Sequence, residues 1–313
     1  MRLLAAFSSL LVLSLTAQTT TVPSTDKDRN RQAIGEVSTE TTIKISDLNE
    51  LRGKVSNLFK DAPYLPSTGL HKITEENGFS GTWGKSPRDP MLLLPLFKRV
   101  HLQKGWRLVA YQWLDDIGGY VHVYGLPEGT SFPEAADCLN REKVPASEFV
   151  PEHDYVFPMP PRATKELGAL IEVDGTPESF AEKALFLQEV SEIGAYWHAI
   201  GWGDCHLVDS IDALLNEVMR QRNTPKDEKQ REGERQRIQE EIQTKWTWTK
   251  PCAKDFRSYS QHNAKSTEVV WYTFSGRGVE SLERWTFTFV NGSTKTSDPE
   301  VVTVAKGTQG FMY

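Results

Sequence analysis

The chain has 313 residues, with 36 Lys+Arg against 42 Asp+Glu, a formal net charge of −6 and 38% hydrophobic residues. Nine Trp, nine Tyr and fourteen Phe exclude a wholly disordered chain, and three Cys are too few for a disulfide scaffold. The acidic balance argues against a nucleic-acid partner, which would need a basic face.

Met1-Arg2 precede an uncharged, apolar-rich run from Leu3 to Leu15, and Ala17 is a small residue suited to cleavage. A cationic start followed by a short apolar stretch predicts a secretory signal peptide over 1–17. The run falls short of the roughly 20 apolar residues that a spanning helix needs. Its removal leaves 296 residues at −7, since Arg2 goes with it. A secreted or periplasmic protein is therefore expected, with no membrane span after signal removal. Export bears on Cys138, Cys205 and Cys252: in an oxidising compartment two of them can pair, in three ways, and one is left over.

Residues 18–42 follow as a flexible tether, since nine of those 25 are Ser or Thr and little apolar surface is available to offset ordering entropy. An α+β main domain is expected over 43–222. Ser46 caps a helix to about Lys60, with Leu48, Leu51, Val55, Leu58 and Phe59 at helical spacing. Residues 61–90, rich in Gly, Pro and Ser, look irregular. Trp106–Leu114 and Gly119–Tyr124 form a β-hairpin, with Tyr120, His122 and Tyr124 on one face and Val121 and Val123 on the other. Ser131 to Glu134 has the capping-box pattern of a short helix carrying Cys138. Residues 144–163 hold five prolines and read as a loop, and Leu167–Val173 as a strand.

Thr176-Pro177 opens a stronger helix, striped by Phe186, Val190, Ile193 and Trp197. After Gly201-Trp202-Gly203, Asp209 caps another, with Ile211, Leu214, Leu215, Val218 and Met219 on one face. Thr224-Pro225 then begins a charged helix over 223–245, whose only large apolar residues are Ile238 and Ile242; such polarity predicts a solvated spacer. From Trp246 the period becomes two. Val269–Phe274, Arg284–Phe289 and Val301–Ala305, with a turn signal at Asn291-Gly292, predict a small antiparallel β-meander over 246–313, either separate or joined to the main sheet. The fold class expected is thus α+β, an antiparallel hairpin or sheet with several packed helices plus this meander. One self-match stands out, of 112–125 with 188–201. As a duplicated strand–turn–strand it would conflict with the helix expected up to Trp197.

The densest chemical cluster is Tyr196 to His206, at a helix end followed by a glycine-rich turn. His198, Asp204 and His206 are competent as a two-His, one-carboxylate set for a divalent metal, or as a general acid and base, with Glu189 or Glu192 adding a carboxylate. Their spacing lacks the i, i+4 histidine pair of helical zinc sites. The plainer reading is a helix end with aromatic packing. Cys205 and His206 are adjacent and point apart on an extended chain, which disfavours a Cys–His dyad. Asp115-Asp116 suits a hairpin turn better than a glycosidase pair. Trp202, Trp246 and Trp248 are either ligand-stacking rings or core walls. No Walker loop, dinucleotide-binding glycine motif, Gly-x-Ser-x-Gly or EF-hand loop occurs. The reading favoured is an exported, non-enzymatic binding or interaction protein for a protein, peptide or carbohydrate ligand, with no cofactor. The alternative is a metal-assisted or acid/base hydrolase using His198, Asp204 and His206.

Overall fold

Two antiparallel sheets divide the molecule, and a pair of helices lies between them. The computed structural model describes residues 38–60, 71–74, 80–114, 118–144, 153–197, 201–222, 227–249, 256–291 and 298–309. Its strands are β1 (Thr39–Thr42), β2 (His71–Thr74), β3 (Ser80–Lys85), β4 (Val100–Leu102), β5 (Trp106–Leu114), β6 (Gly118–Pro127), β7 (Leu139–Val144), β8 (His153–Pro158), β9 (Ile171–Val173), β10 (Tyr196–Trp197), β11 (Cys205–Val208), β12 (Thr247–Trp248), β13 (Tyr259–His262), β14 (Ser266–Ser275), β15 (Ser281–Val290) and β16 (Glu300–Lys306). Its α-helices are α1 (Ile45–Leu58), α2 (Leu167–Leu170), α3 (Pro177–Ser191), α4 (Ile211–Gln221) and α5 (Glu228–Thr244). Helices packed on mostly antiparallel strands make the fold broadly α+β.

The seven-stranded sheet runs β1-β13-β14-β15-β16-β12, and β11 pairs with the far end of β14. The C-terminal strands therefore share one sheet with β1, just before the 43–222 region, and with β11, near the end of that region. Alternation along β14 explains why the sheet is covered twice. Val269 and Trp271 face a core shared with α1 and α3, whereas Phe274 faces a second core with α4 and α5. The five-stranded sheet runs β10-β6-β5-β3-β2. Its Val121 and Val123 meet the first core. Trp83, Tyr111, Trp113 and Tyr124 face a third core, closed by Leu139, Tyr155 and Phe157 of the β7–β8 hairpin.

The β5–β6 hairpin has the expected faces, with Trp113 opposite Tyr120, Tyr111 opposite His122 and Val109 opposite Tyr124. Thr176 caps α3 by accepting from Ser179 N–H, as expected. Several boundaries move. Residues 39–42, assigned to the tether, pair with β13. Helix α1 starts at Ile45, which is buried, rather than after a Ser46 cap. Residues 71–74 and 80–85 are strands and not irregular: Gly81 belongs in β3 because a Cβ there would sit 2.2 Å from the Trp113 ring. The proline-rich 144–163 stretch contains β8. Residues 167–170 are helical, with only Ile171–Val173 extended. The turn after Ser131 is a short 3-10 helix, Ala135–Cys138.

Helix α3 ends at Ser191, short of Trp197. Gly194, at φ 90°, turns the chain so that Tyr196 and Trp197 pair with Gly119 and Gly118. The 112–125 and 188–201 segments are thus neighbours of unlike structure: Gln112 is in a strand and Gln188 in a helix. Ser210, not Asp209, caps α4 through Ala213 N–H. Asp227 caps α5 through Gln230 N–H, and Thr224-Pro225 lie outside the described residues.

Helix α5 is not a solvated spacer. Ile238 and Ile242 are fully buried in the second core. Glu241 accompanies them because Arg222, at the end of α4, holds it at 2.8 Å and Glu280 at 2.6 Å. Thr308 adds a hydroxyl donor to Glu241 at 2.7 Å. Paired and hydrogen-bonded, those charges tolerate burial.

Candidate functional site

The 196–206 cluster resolves into groups that serve the local structure. Strand β11 turns Cys205 and Leu207 toward the first core and Val208 toward the second. His206 Nε2 accepts a hydrogen bond from Arg220 at 2.6 Å, and His206 Nδ1 lies 3.7 Å from Glu217. Burial pushes its pKa down to about 4, with the cations Arg220 and Arg52 acting in the same direction against Glu217. An imidazole accepting from a guanidinium is neutral. Asp204 lies 3.6 Å from Arg277; burial raises its pKa, and Arg277 acts against that shift. His198 lies outside the described residues. Among the described residues no group of three or more His, Cys, Asp or Glu is placed to hold a metal ion.

The two nearby carboxylates are both committed. Glu192 accepts from the N–H groups of Gly201, Trp202 and Gly203 and so fixes the glycine-rich turn. Glu189 accepts from Arg52 Nε at 2.9 Å and from the Trp202 indole at 2.8 Å. Arg52 also bonds the carbonyls of Trp202 and Cys205, and its guanidinium stacks 4.3 Å from the Trp202 ring centre. Cys205 is a buried free thiol whose pKa burial pushes up to about 12, which opposes thiolate chemistry. Cys138 is also free and belongs to the third core, so these two are not bridged to each other; Cys252 lies outside the described residues.

The three candidate tryptophans are set into cores. Trp202 is 3% exposed and packs on Trp271 and Trp285. Trp246 is 5% exposed and stacks on Phe274. Trp248 is half-buried, stacks on Phe256, and donates its indole N–H to the Ile242 carbonyl.

A different constellation surfaces on the five-stranded sheet. Tyr120 and His122, two apart on β6, lie on one face. The β7–β8 hairpin brings Tyr155 and Phe157 over them. His122 stacks on Phe157 with ring centres 5.6 Å apart and planes 10° apart, and Tyr120 stacks on Tyr155 at 6.2 Å. Beneath lies Trp83, fully buried, meeting both Tyr120 and His122 edge-on. Its indole N–H is satisfied by the Val156 carbonyl at 3.0 Å.

Polar contacts thread this layer. His122 Nε2 and Tyr155 Oη share a hydrogen bond of 2.7 Å, and the Tyr124 hydroxyl donates to the Pro158 carbonyl at 2.7 Å. Lys165 Nζ sits 3.8 Å from the Phe157 ring centre. Burial pushes the His122 pKa down to about 4, and Lys165 adds to the shift, so the imidazole is neutral. Burial raises the Tyr124 and Tyr111 phenols as well. Tyr120, His122 and Tyr155 stay half-exposed. They offer ring faces for stacking and neutral groups that both donate and accept hydrogen bonds. The sequence displayed the Tyr120–His122–Tyr124 face, but Tyr155 and Phe157 come from a stretch that looked like a loop.

Among the described residues no helix is long and apolar enough to cross a membrane. No protein-family model, curated protein or solved structure matches the chain.

Proposed function

We propose that this is an exported, non-enzymatic binding or interaction protein that contacts a peptide or carbohydrate through Tyr120, His122 and Tyr155. The observation behind this reading is the aromatic layer that reaches the surface at those three side chains, with a neutral imidazole at its centre. Stacking faces beside neutral hydroxyl and imidazole groups suit a ligand that is itself uncharged, planar or polyhydroxylated. Export rests on the 1–17 sequence, and no cofactor is needed for binding of this kind. The test is a screen of glycan and peptide arrays with wild-type protein and with Tyr155→Ala and Tyr120→Ala. Binding lost by roughly tenfold or more in both variants is the expected result. Array binding that survives both changes rejects this surface.

The second reading is a metal-assisted or acid/base hydrolase built on His198, Asp204 and His206. It draws on the half-exposed Asp204 and His206, two residues apart and flanked by Arg277 and Arg220. Elemental analysis of wild type, His198→Ala and His206→Ala separates its two forms. Metal lost in both variants supports a metal site, and equal, negligible metal in all three leaves only metal-free catalysis.

A further inference from the structure

The β7–β8 hairpin is joined to the five-stranded sheet by side chains and not by a ladder. Among the described strands β7 and β8 pair only with each other, and they meet the sheet through the third core. Both strands leave the fold at one point, where Met159 N–H bonds the Cys138 carbonyl at 2.8 Å. The chain is fixed again at Thr164, tied to Gly125 of β6 by two main-chain bonds of 2.9 Å. Between those anchors the hairpin leans on the Tyr124 hydroxyl at Pro158, the Trp83 indole at Val156 and His122 at Tyr155. Of these three, the His122–Tyr155 bond lies furthest along β8 from the base. Beneath the hairpin Trp83, Tyr111 and Tyr124 are fully buried.

Several groups face His122. Tyr120 and Tyr124 flank it on β6, and Tyr111 lies opposite it on β5. Tyr155 and Phe157 reach it from β8, and Cys138 joins the same core from the 3-10 turn. Phenols and thiols are already protonated near neutrality and gain nothing as pH falls. Glu142, opposite Tyr155 on β7, and Glu166, after Lys165, are exposed to solvent. Lys85, opposite Tyr111 on β3, is paired with Glu134 at 2.7 Å. The charge that acts on His122 is the Lys165 ammonium, 3.8 Å from the far partner of its stack, Phe157. A proton on His122 would therefore sit among aromatic rings, beside a second cation.

We propose that the β7–β8 hairpin is an acid-released cover, in which a proton on His122 parts Tyr155 and Phe157 from the five-stranded sheet and uncovers Trp83. The hairpin swings about Cys138 and Met159 while the seven-stranded sheet stays closed. In the closed form burial, then Lys165, holds His122 at about 4, and in the opened form it returns toward its ordinary 6.5. The open form thus takes up the proton first as pH falls from 6.5 toward 4, which favours opening. No ligand takes part, so the device is independent of what the surface binds.

Hydrogen exchange of the full chain at pH 7 and pH 4.5, read by peptide and corrected for the intrinsic pH dependence of exchange, tests this. Peptides over 139–144 and 153–158 are expected to open roughly fiftyfold more often at the lower pH. Peptides over the β14–β15 pair, in the other sheet, are expected to change by less than about threefold. His122→Gln, neutral at both values, abolishes the difference. Tyr155→Phe opens more at both values and keeps their ratio, because it weakens the bond without removing the titrating group. Lys165→Met, at an exposed side chain, reduces the ratio. The proposal is overturned by equal opening at both values, by a ratio that persists in His122→Gln, or by an equal rise in the β14–β15 peptides. Should His122→Gln fail to fold at pH 7, an unchanged ratio in Lys165→Met overturns it.

Discussion

Each sheet carries a cap on its outer face, and the two caps are fastened by opposite means. Helices α4 and α5 close the second core around ions: Arg222 between Glu241 and Glu280, with side chains 5%, 4% and 0% exposed. The β7–β8 hairpin closes the third core around neutral groups, the His122–Tyr155 bond and the indole and phenol bonds to Val156 and Pro158. Charged fastenings lose most when one partner is removed, because the other is stranded in a low dielectric. Neutral fastenings give up only a hydrogen bond, and their weak point is the proton that would make one of them charged.

Arg222→Ala is the sharpest way to break the comparison. It leaves two buried carboxylates facing each other, and urea denaturation is expected to show a loss of about 3–5 kcal/mol. Replacing all three members with apolar residues, Arg222→Met with Glu241→Leu and Glu280→Leu, should recover most of that loss. If the triple variant is as unstable as the single one, the triad contributes more than mutual neutralisation.

The two caps also respond to different pH windows. The folded His122 pKa, about 4, lies below its ordinary 6.5, so the unfolded chain binds a proton first as pH falls. Stability on this account is full above pH 6.5 and declines toward pH 4. Glu241 is held below its ordinary 4.5 first by its hydrogen bonds from Arg222, so its contribution is full above 4.5 and is lost on further acidification. His206 acts in the same window as His122. Denaturation midpoints measured across pH for His122→Gln, His206→Gln and the double variant should therefore show the slope between 6.5 and 4 shrinking in steps. A slope unchanged in the double variant would place it elsewhere.

Tyr155→Phe gives the smallest expected effect. It removes one hydroxyl from the His122 bond while keeping the ring stacks, for about 0.5–1.5 kcal/mol in thermal or urea unfolding.

The contrast between the caps also marks what was legible in the sequence. Alternation revealed the β5–β6 hairpin and the strands β14 and β15, and Thr176-Pro177 revealed α3, because period and capping are local. The ionic cap was hidden. The sequence of α5 displays charge, but its neutralisation comes from Arg222 and involves Glu280, 58 residues further along. Gly81 and Pro158 looked like breakers, yet a tryptophan ring above the one and a partner strand beside the other make them strand positions. The candidate site was half visible. The β6 alternation exposed Tyr120 and His122, while their cover depends on a hairpin that composition alone disguised.

Helices α1 and α3 lie between sheets whose strands come from opposite ends of the chain. Strand β1 pairs with β13 across more than two hundred residues, with Ser38 bonded to Gln261, and β11 pairs with β14. The first core therefore has no closed form while the polypeptide is incomplete, since its wall of Val269, Trp271, Phe287 and Phe289 is made last. Folding of this layer is expected to be slow and to follow chain completion, because its contacts span long loops. A nascent chain stalled before β14 should stay protease-sensitive over α1 and α3, while the β5–β6 hairpin, built from neighbours, can form earlier.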